Sequence, residues 1–135
     1  MHNTKVKIFE ALDLIDSGAD GLDGVINYQA LRSGDRDYVK RELTEIVEEA
    51  HKAKPDIEIK FIIEVTLLTS KKMIAAAKLV KESGADFGIK AAGGHIATTE
   101  KALSMLEAGA NIIGENNCCQ IMEGYDLLME KRSRR

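Results

Sequence analysis

Cysteine is scarce in this 135-residue chain: the two present, Cys118 and Cys119, are neighbours. A disulfide between adjacent residues closes almost no loop, which excludes a disulfide-stapled scaffold and makes the pair read as reduced cytosolic thiols. No stretch approaches the roughly 18 consecutive apolar residues of a membrane span. The N-terminal "MHNTKVKIFEALD" lacks the apolar core of a secretion signal, so a cytoplasmic location is expected. An excess of positive charge is also missing. The formal net charge is −3 and the pI about 5.6, from interspersed Lys, Arg, Asp and Glu. No basic face is evident that could neutralise a run of phosphates along a duplex, so nucleic acid and membrane are not expected partners. The one local excess, "EKRSRR" at the C-terminus, reads as a solvated, frayed end without a function of its own.

What remains is the composition of a soluble globular protein, 44% hydrophobic and 30% charged. The length suits a single domain over residues 1–135, well short of the roughly 250 residues of a complete (β/α)8 barrel. Three segments share one grammar: "ALDLIDSGADGLDGVI", "AAKLVKESGADFGIKA" and "ALSMLEAGANIIGE". Each is an apolar helical period, then Gly-Ala-Asp or Gly-Ala-Asn, then a short apolar run. Gly18, Gly84 and Gly109 stand where a helix ends in a left-handed residue, a conformation that costs glycine no Cβ clash. A fourth unit repeats Val39, Leu43, Ile46, Val47 and Ala50 at helical spacing, stops at the single proline, Pro55, and continues into the β-branched run Ile57, Ile59, Ile62 and Ile63. Helix starts are marked by Ser33-Gly-Asp, Thr69-Ser70 and Thr98-Thr99-Glu100.

The predicted order is helix 4–17, strand 21–27, helix 36–53, strand 57–64, helix 70–83, strand 86–90, helix 98–108, strand 111–114 and a last helix. Strict alternation with short links implies right-handed crossovers and a parallel sheet of about four strands, the α/β class, with ligands at the carboxyl ends of the strands. Those ends carry Asp23 and Asn27, Glu64, Lys90, and Glu115 with Asn116 and Asn117. Strand alternation places Asp23 with Val25 and Asn27, Ile62 with Glu64, and Gly88 with Lys90 on one face of their respective strands. A lysine among apolar neighbours loses hydration, which favours the neutral amine that attacks carbonyls, whereas a nearby carboxylate favours the ammonium. Two readings of Lys90 therefore stand together: a nucleophilic amine, or an ion pair with Asp23 or Glu64 at the rim of the sheet. Gly93-Gly94 and "GENN" are ordinary turn chemistry or, side by side, two loops presenting N–H groups to an anion ahead of the last helix.

The blocks "GADGLDGVINYQALRSGDRDYVKRE", "IKFIIEVTLLT", "GIKAAGG" and "ALSMLEAGANIIG" resemble the later strands of deoxyribose-phosphate aldolase, in family order and across nearly the whole chain. The resemblance implies a partial TIM (β/α)8 barrel. The activity it implies is reversible cleavage of 2-deoxyribose 5-phosphate to glyceraldehyde 3-phosphate and acetaldehyde through a lysine Schiff base, in deoxyribonucleotide and carbohydrate degradation, with no metal or organic cofactor. On the same basis Asp23 matches the active-site aspartate that handles protons through water. Lys90, before Ala-Ala-Gly-Gly, matches the strand-seven lysine whose charge in that family helps depress the pKa of the Schiff-base lysine. Gly93, Gly94, Gly114, Asn116 and Asn117 fall on the phosphate-binding loops.

The departures are specific. The family's strand-six motif, Lys-Thr-Ser-Thr-Gly with the Schiff-base lysine, is absent, and "SGADFGIKAAGGH" reads as a junction across a missing βα unit. About three strands are missing before the first helix. Glu64-Val65-Thr66 stands for Glu-Thr-Gly, Asn116 and Asn117 for serines, His95 is inserted and Ala97 replaces an arginine. Glu115 adds a negative charge beside the anion loop, which weakens phosphate affinity. Lys60 lies about 13 Å from Glu64 along its strand and reads as a poor replacement amine. Three expectations follow: an aldolase with Lys90 as nucleophile, an inactive remnant that binds a sugar phosphate at most, and a homodimer in which two copies complete one barrel.

Overall fold

A computed structural model describes residues 3–64, 67–85, 88–92, 96 and 98–133. Along the chain run α1 (Thr4–Asp16), β1 (Gly21–Val25), α2 (Tyr28–Ser33), α3 (Arg36–Ala53), β2 (Glu58–Glu64), α4 (Ser70–Glu82), β3 (Gly88–Ala92), α5 (Thr99–Glu107), β4 (Ile112–Gly114) and α6 (Cys118–Ser133). The described strands form one parallel sheet in the order β1-β2-β3-β4. This is the α/β class that strict alternation predicts. No described helix is long and apolar enough to cross a membrane.

Local chemistry explains most boundaries. Gly18, Gly84 and Gly109 end their helices at φ of 95°, 83° and 110°, the left-handed region expected of them. Asp35 caps α3 by accepting the Tyr38 N–H at 3.0 Å, and Thr98 caps α5 by accepting from Lys101 at 3.3 Å. Thr69 precedes α4 without a side-chain cap.

Three expectations need correction. β1 stops at Val25, because Asn27 turns to cap the short helix α2, accepting the Ala30 N–H at 3.0 Å. β3 runs from Gly88 to Ala92 instead of ending at Lys90, since Ala91 and Ala92 pair with Ile63 and Glu64 of β2. Lys90 is therefore in the middle of its strand. The basic C-terminal stretch is helical as far as Ser133, within α6.

The alternation of the strands divides the sheet. Leu22, Ile59, Phe61 and Ile63 are buried against the helices, together with Val39, Leu43, Ile46 and Val47 of α3 and Ala76, Ala77 and Val80 of α4. Burying a side chain such as Phe61 contributes on the order of 2–3 kcal/mol. The opposite face carries Asp23 and Val25, Lys60 and Ile62, Lys90, and Ile112, all partly or well exposed, with Val25 at 41%. Among the described residues no helix covers that face.

α1 is fastened by a buried polar cluster. The Glu42 side chain is wholly buried and accepts from Lys7 Nζ at 2.6 Å, Thr4 Oγ1 at 3.1 Å and the Tyr38 hydroxyl at 3.4 Å. Lys7 Nζ also donates to the Val25 carbonyl at 3.0 Å. Ile26 N–H bonds the Ile62 carbonyl, and Glu58 N–H bonds that of Asp20. In a parallel strand alternate residues address opposite neighbours, so the backbone groups of Gly21, Asp23 and Val25 point to the free edge. Lys7 thus covers an edge carbonyl, a recognised protection of open strands.

At the other end, α6 meets α5 through a close backbone approach. Thr99 Oγ1 donates to the Ile121 carbonyl at 2.8 Å, and a Cβ placed on Gly124 falls 2.1 Å from that hydroxyl oxygen.

Two stability changes follow. Lys7→Met, which strands the buried Glu42 carboxylate, is expected to cost about 3 kcal/mol in urea unfolding, with the double variant Lys7→Met, Glu42→Gln recovering part of it. Gly124→Ala is expected to cost about 1–3 kcal/mol through overpacking against Thr99. Pairing it with Thr99→Ser, which leaves the hydroxyl in place, should not relieve the loss, whereas Thr99→Ala should.

Candidate functional site

The uncovered face of the sheet gathers the chain's candidate reactive groups, and the register decides which of them meet. Asp23 is the partner of Lys60 across β1 and β2, and their side chains form an ion pair of 2.7 Å. Lys90 is the partner of Ile62 across β2 and β3 and of Ile112 across β3 and β4. Partners in a parallel ladder share a face, so Asp23, Lys60 and Lys90 project from the same side of the sheet.

This corrects the expected pairing. Asp23 binds Lys60, one strand away in register, and Lys90 lies two strands from Asp23. The distance of Lys60 from Glu64 along β2 proves to be the wrong comparison, because Lys60 approaches the other charged groups across strands. Strand rise alone does not find Lys60; the signal that does is its parity with Ile62 combined with the order of the strands. Lys90 is half-buried, and no described carboxylate lies within ion-pair distance of it; the Glu64 side chain is outside the described set.

The expected anion site is only partly within view. Gly93 and Gly94 lie outside the described residues. Gly114 ends β4, and Asn116 and Asn117 form the exposed turn ahead of α6. In that turn the Asn116 N–H donates to Glu115 Oε1 at 2.8 Å, so a backbone donor expected to face an anion is occupied by the neighbouring carboxylate. Glu115 Oε2 is buried and has no partner among the described residues. Both cysteines are exposed and free, beside this turn.

Displaced titration is found elsewhere. A hydrogen bond from Lys54 and its charge hold the Asp20 carboxyl below its ordinary value, and the same contact raises Lys54. That pair joins the start of β1 to the end of α3, at the opposite end of the strands from the turn after β4. Among the described residues no three His, Cys, Asp or Glu side chains converge as a metal site would require. The arrangement can therefore offer a carbonyl compound an amine, Lys90, with a second amine and a carboxylate on the same open surface.

A family model described as DeoC/LacD family aldolase matches residues 2–112. Deoxyribose-phosphate aldolase of Thermococcus gammatolerans is 43% identical over 149 aligned positions, covering 90% of this chain and 65% of that protein. The enzyme of the same name from Thermoanaerobacter sp. is 37% identical over 152 positions, covering 92% and 67%. The chain thus spans about 65% of the length of the first relative. The 149 aligned positions exceed the 135 residues of the chain, so that relative carries residues inside the matched span that are missing here. Among solved structures, QR15, an aldolase, superposes with a TM-score of 0.61 at 29% identity, covering 93% of this chain and 67% of that one. The tetrameric deoxyribose phosphate aldolase of Aeropyrum pernix shares the fold, with a TM-score of 0.59 at 24% identity over 95% of this chain and 64% of that one.

Glu115→Gln removes the negative charge from the turn. Inorganic phosphate, followed through the amide signals of Asn116 and Asn117, is expected to bind about fivefold more tightly than to the unmodified chain, the effect of roughly 1 kcal/mol of repulsion.

Proposed function

The chain belongs to the DeoC/LacD aldolase family, and on that footing we propose that it is a shortened deoxyribose-phosphate aldolase whose amine chemistry falls to Lys90. Its four-stranded sheet corresponds, in this reading, to part of a (β/α)8 barrel within one domain spanning residues 1–135. The shortfall inside the matched span is placed at the junction Ser83 to His95. The reaction is cytoplasmic cleavage of 2-deoxyribose 5-phosphate without metal or organic cofactor.

The observation that carries this reading is the register that sets Lys90 on the same open face as Asp23. The Lys90 amine adds to the C1 aldehyde of the open-chain sugar and loses water to form an iminium. Asp23, through a water molecule, takes the C3 hydroxyl proton as the C2–C3 bond breaks. Its electron pair passes into the iminium, giving an enamine and releasing glyceraldehyde 3-phosphate. Protonation of the enamine carbon and hydrolysis then release acetaldehyde and return the amine. Phosphate is held by the loops of Gly93, Gly94, Gly114, Asn116 and Asn117, weakly where Glu115 occupies the Asn116 N–H.

That occupied donor favours a second reading, an inactive remnant that binds a sugar phosphate at most. The outer edges of β1 and β4, which no described strand pairs, favour adding a second copy that completes the barrel as a homodimer.

A retro-aldol assay on 2-deoxyribose 5-phosphate separates the readings. Turnover is expected to fall at least a hundredfold in Lys90→Ala and in Lys90→Arg, with a borohydride-trapped adduct mapping to Lys90. Equal rates in the parent and Lys90→Ala overturn the assignment, and the absence of turnover and adduct in the parent selects the remnant.

A further inference from the structure

β2 and β3 pair directly, which makes Lys60 and Lys90 near neighbours. Lys60 is in register with Gly88, and Lys90 stands two residues further along the same strand on the same face. Such a diagonal spans about 7–8 Å between Cα atoms, within reach of two long side chains. From the other flank Asp23 grips the Lys60 amine at 2.7 Å. The pair is partly exposed, with Lys60 at 27% and Asp23 at 48%. Pairs of that exposure add little to stability, so the fold itself makes small demand for it.

Resting on the aldolase reading, we infer that Lys60 is a positioning residue: it pins the Asp23 carboxylate on the open face, and its own amine is thereby occupied, leaving Lys90 as the amine that meets the carbonyl. The register sets the pinned pair and Lys90 on one open face, within reach of the same small carbonyl compound. Direct pairing of β2 with β3 is what creates this neighbourhood. The lysine, the carboxylate and the second lysine come from three consecutive strands with none intervening.

The test uses the full chain with acetaldehyde and sodium cyanoborohydride. A lysine amine adds to the aldehyde, water leaves to form the iminium, and hydride from cyanoborohydride reduces it to the N-ethyl amine. Peptide mass mapping gives the rate at each lysine, with Lys54, paired to Asp20, as internal reference for an intact fold. Lys90 is expected to react at least threefold faster than Lys60 in the parent. In Asp23→Asn the Lys60 rate should rise at least threefold while that of Lys54 holds. Equal rates at Lys60 and Lys90 in the parent, or an unchanged Lys60 rate in Asp23→Asn, overturn the inference. With 2-deoxyribose 5-phosphate and borohydride, the Lys90 adduct is expected to fall about tenfold in Lys60→Met and to return in Lys60→Arg, which restores the ion pair but offers no nucleophilic amine. Adduct retained in Lys60→Met also overturns it. If the parent forms no sugar adduct at all, the proposed function fails, and the acetaldehyde rates still decide the division of labour between the two lysines.

Discussion

The lateral pairing of β2 with β3 is the constraint on which the other features depend. Once Ile62 is opposite Lys90 and Lys60 opposite Gly88, strand alternation fixes everything else about the two faces. The odd-numbered β2 residues Ile59, Phe61 and Ile63 go to the helices and supply the core. The even-numbered Lys60 and Ile62 go to the open side. A slip of one residue would bury a lysine under α3 and α4 and expose phenylalanine, so the register is held by hydrophobic burial and the polar face inherits its geometry from it. Chemistry on the open face is thus positioned by packing on the covered one.

The covered face also determines what the open one tolerates. With the described helices on one side only, the other face leaves its charged side chains partly exposed, without the desolvation cost of an enclosed interior. Asp23 and Lys60 accept this by pairing, while Lys90 stays half-buried between Ile62 and Ile112 in register. At the β1 edge the demand is different. A cleft of about 290 Å³ lies between α1 and β1, lined by Leu14, Leu22, Val25 and Phe61 among others, and Lys7 reaches across its end to Val25. The same amine neutralises buried Glu42. One lysine therefore serves helix docking and edge protection together, which ties the end of β1 to the packing of α1 on α3.

Much of this was legible residue by residue. The helical period of α3, the glycines after α1, α4 and α5, and the β-branched run of β2 give the alternation and therefore the parallel sheet. The face shared by Asp23, Lys60 and Lys90 is also recoverable, since it needs only parity. The neighbourhood of Lys60 is not recoverable, because parity does not say which strand adjoins which; the pairing of β2 with β3 supplies that. α2 is not legible in the sequence, because six residues with one buried side chain, Leu31, make too short a period. The Glu115 contact was hidden for a different reason: a carboxylate beside an anion loop reads as repulsion, and only geometry reveals that it takes the Asn116 donor for itself.

The two ends of the sheet bear unequally on closure by a second copy. Two-fold symmetry would set β4 of one copy beside β1 of the other, running in the same direction, and would occupy both edges at once. Yet α1 lies beside β1, and α6, which shares a cleft with α5 and Ile113, lies on the same covered side of β4. Closure brings these two helices toward one junction. α1 is held through its Thr4 and Lys7, which both donate to the wholly buried Glu42 of α3, whereas α6 is held at the Thr99 and Gly124 contact and exposes Met122, Leu127 and Met129. Both helices expose apolar side chains, Val6, Phe9 and Leu14 on α1 as well as those of α6, so the difference between them is in their polar attachments. Lys7 must also release the Val25 carbonyl to an incoming strand. In the proposed dimer, closure would therefore set strand pairing at β1 against the Lys7 contact that a single chain already makes.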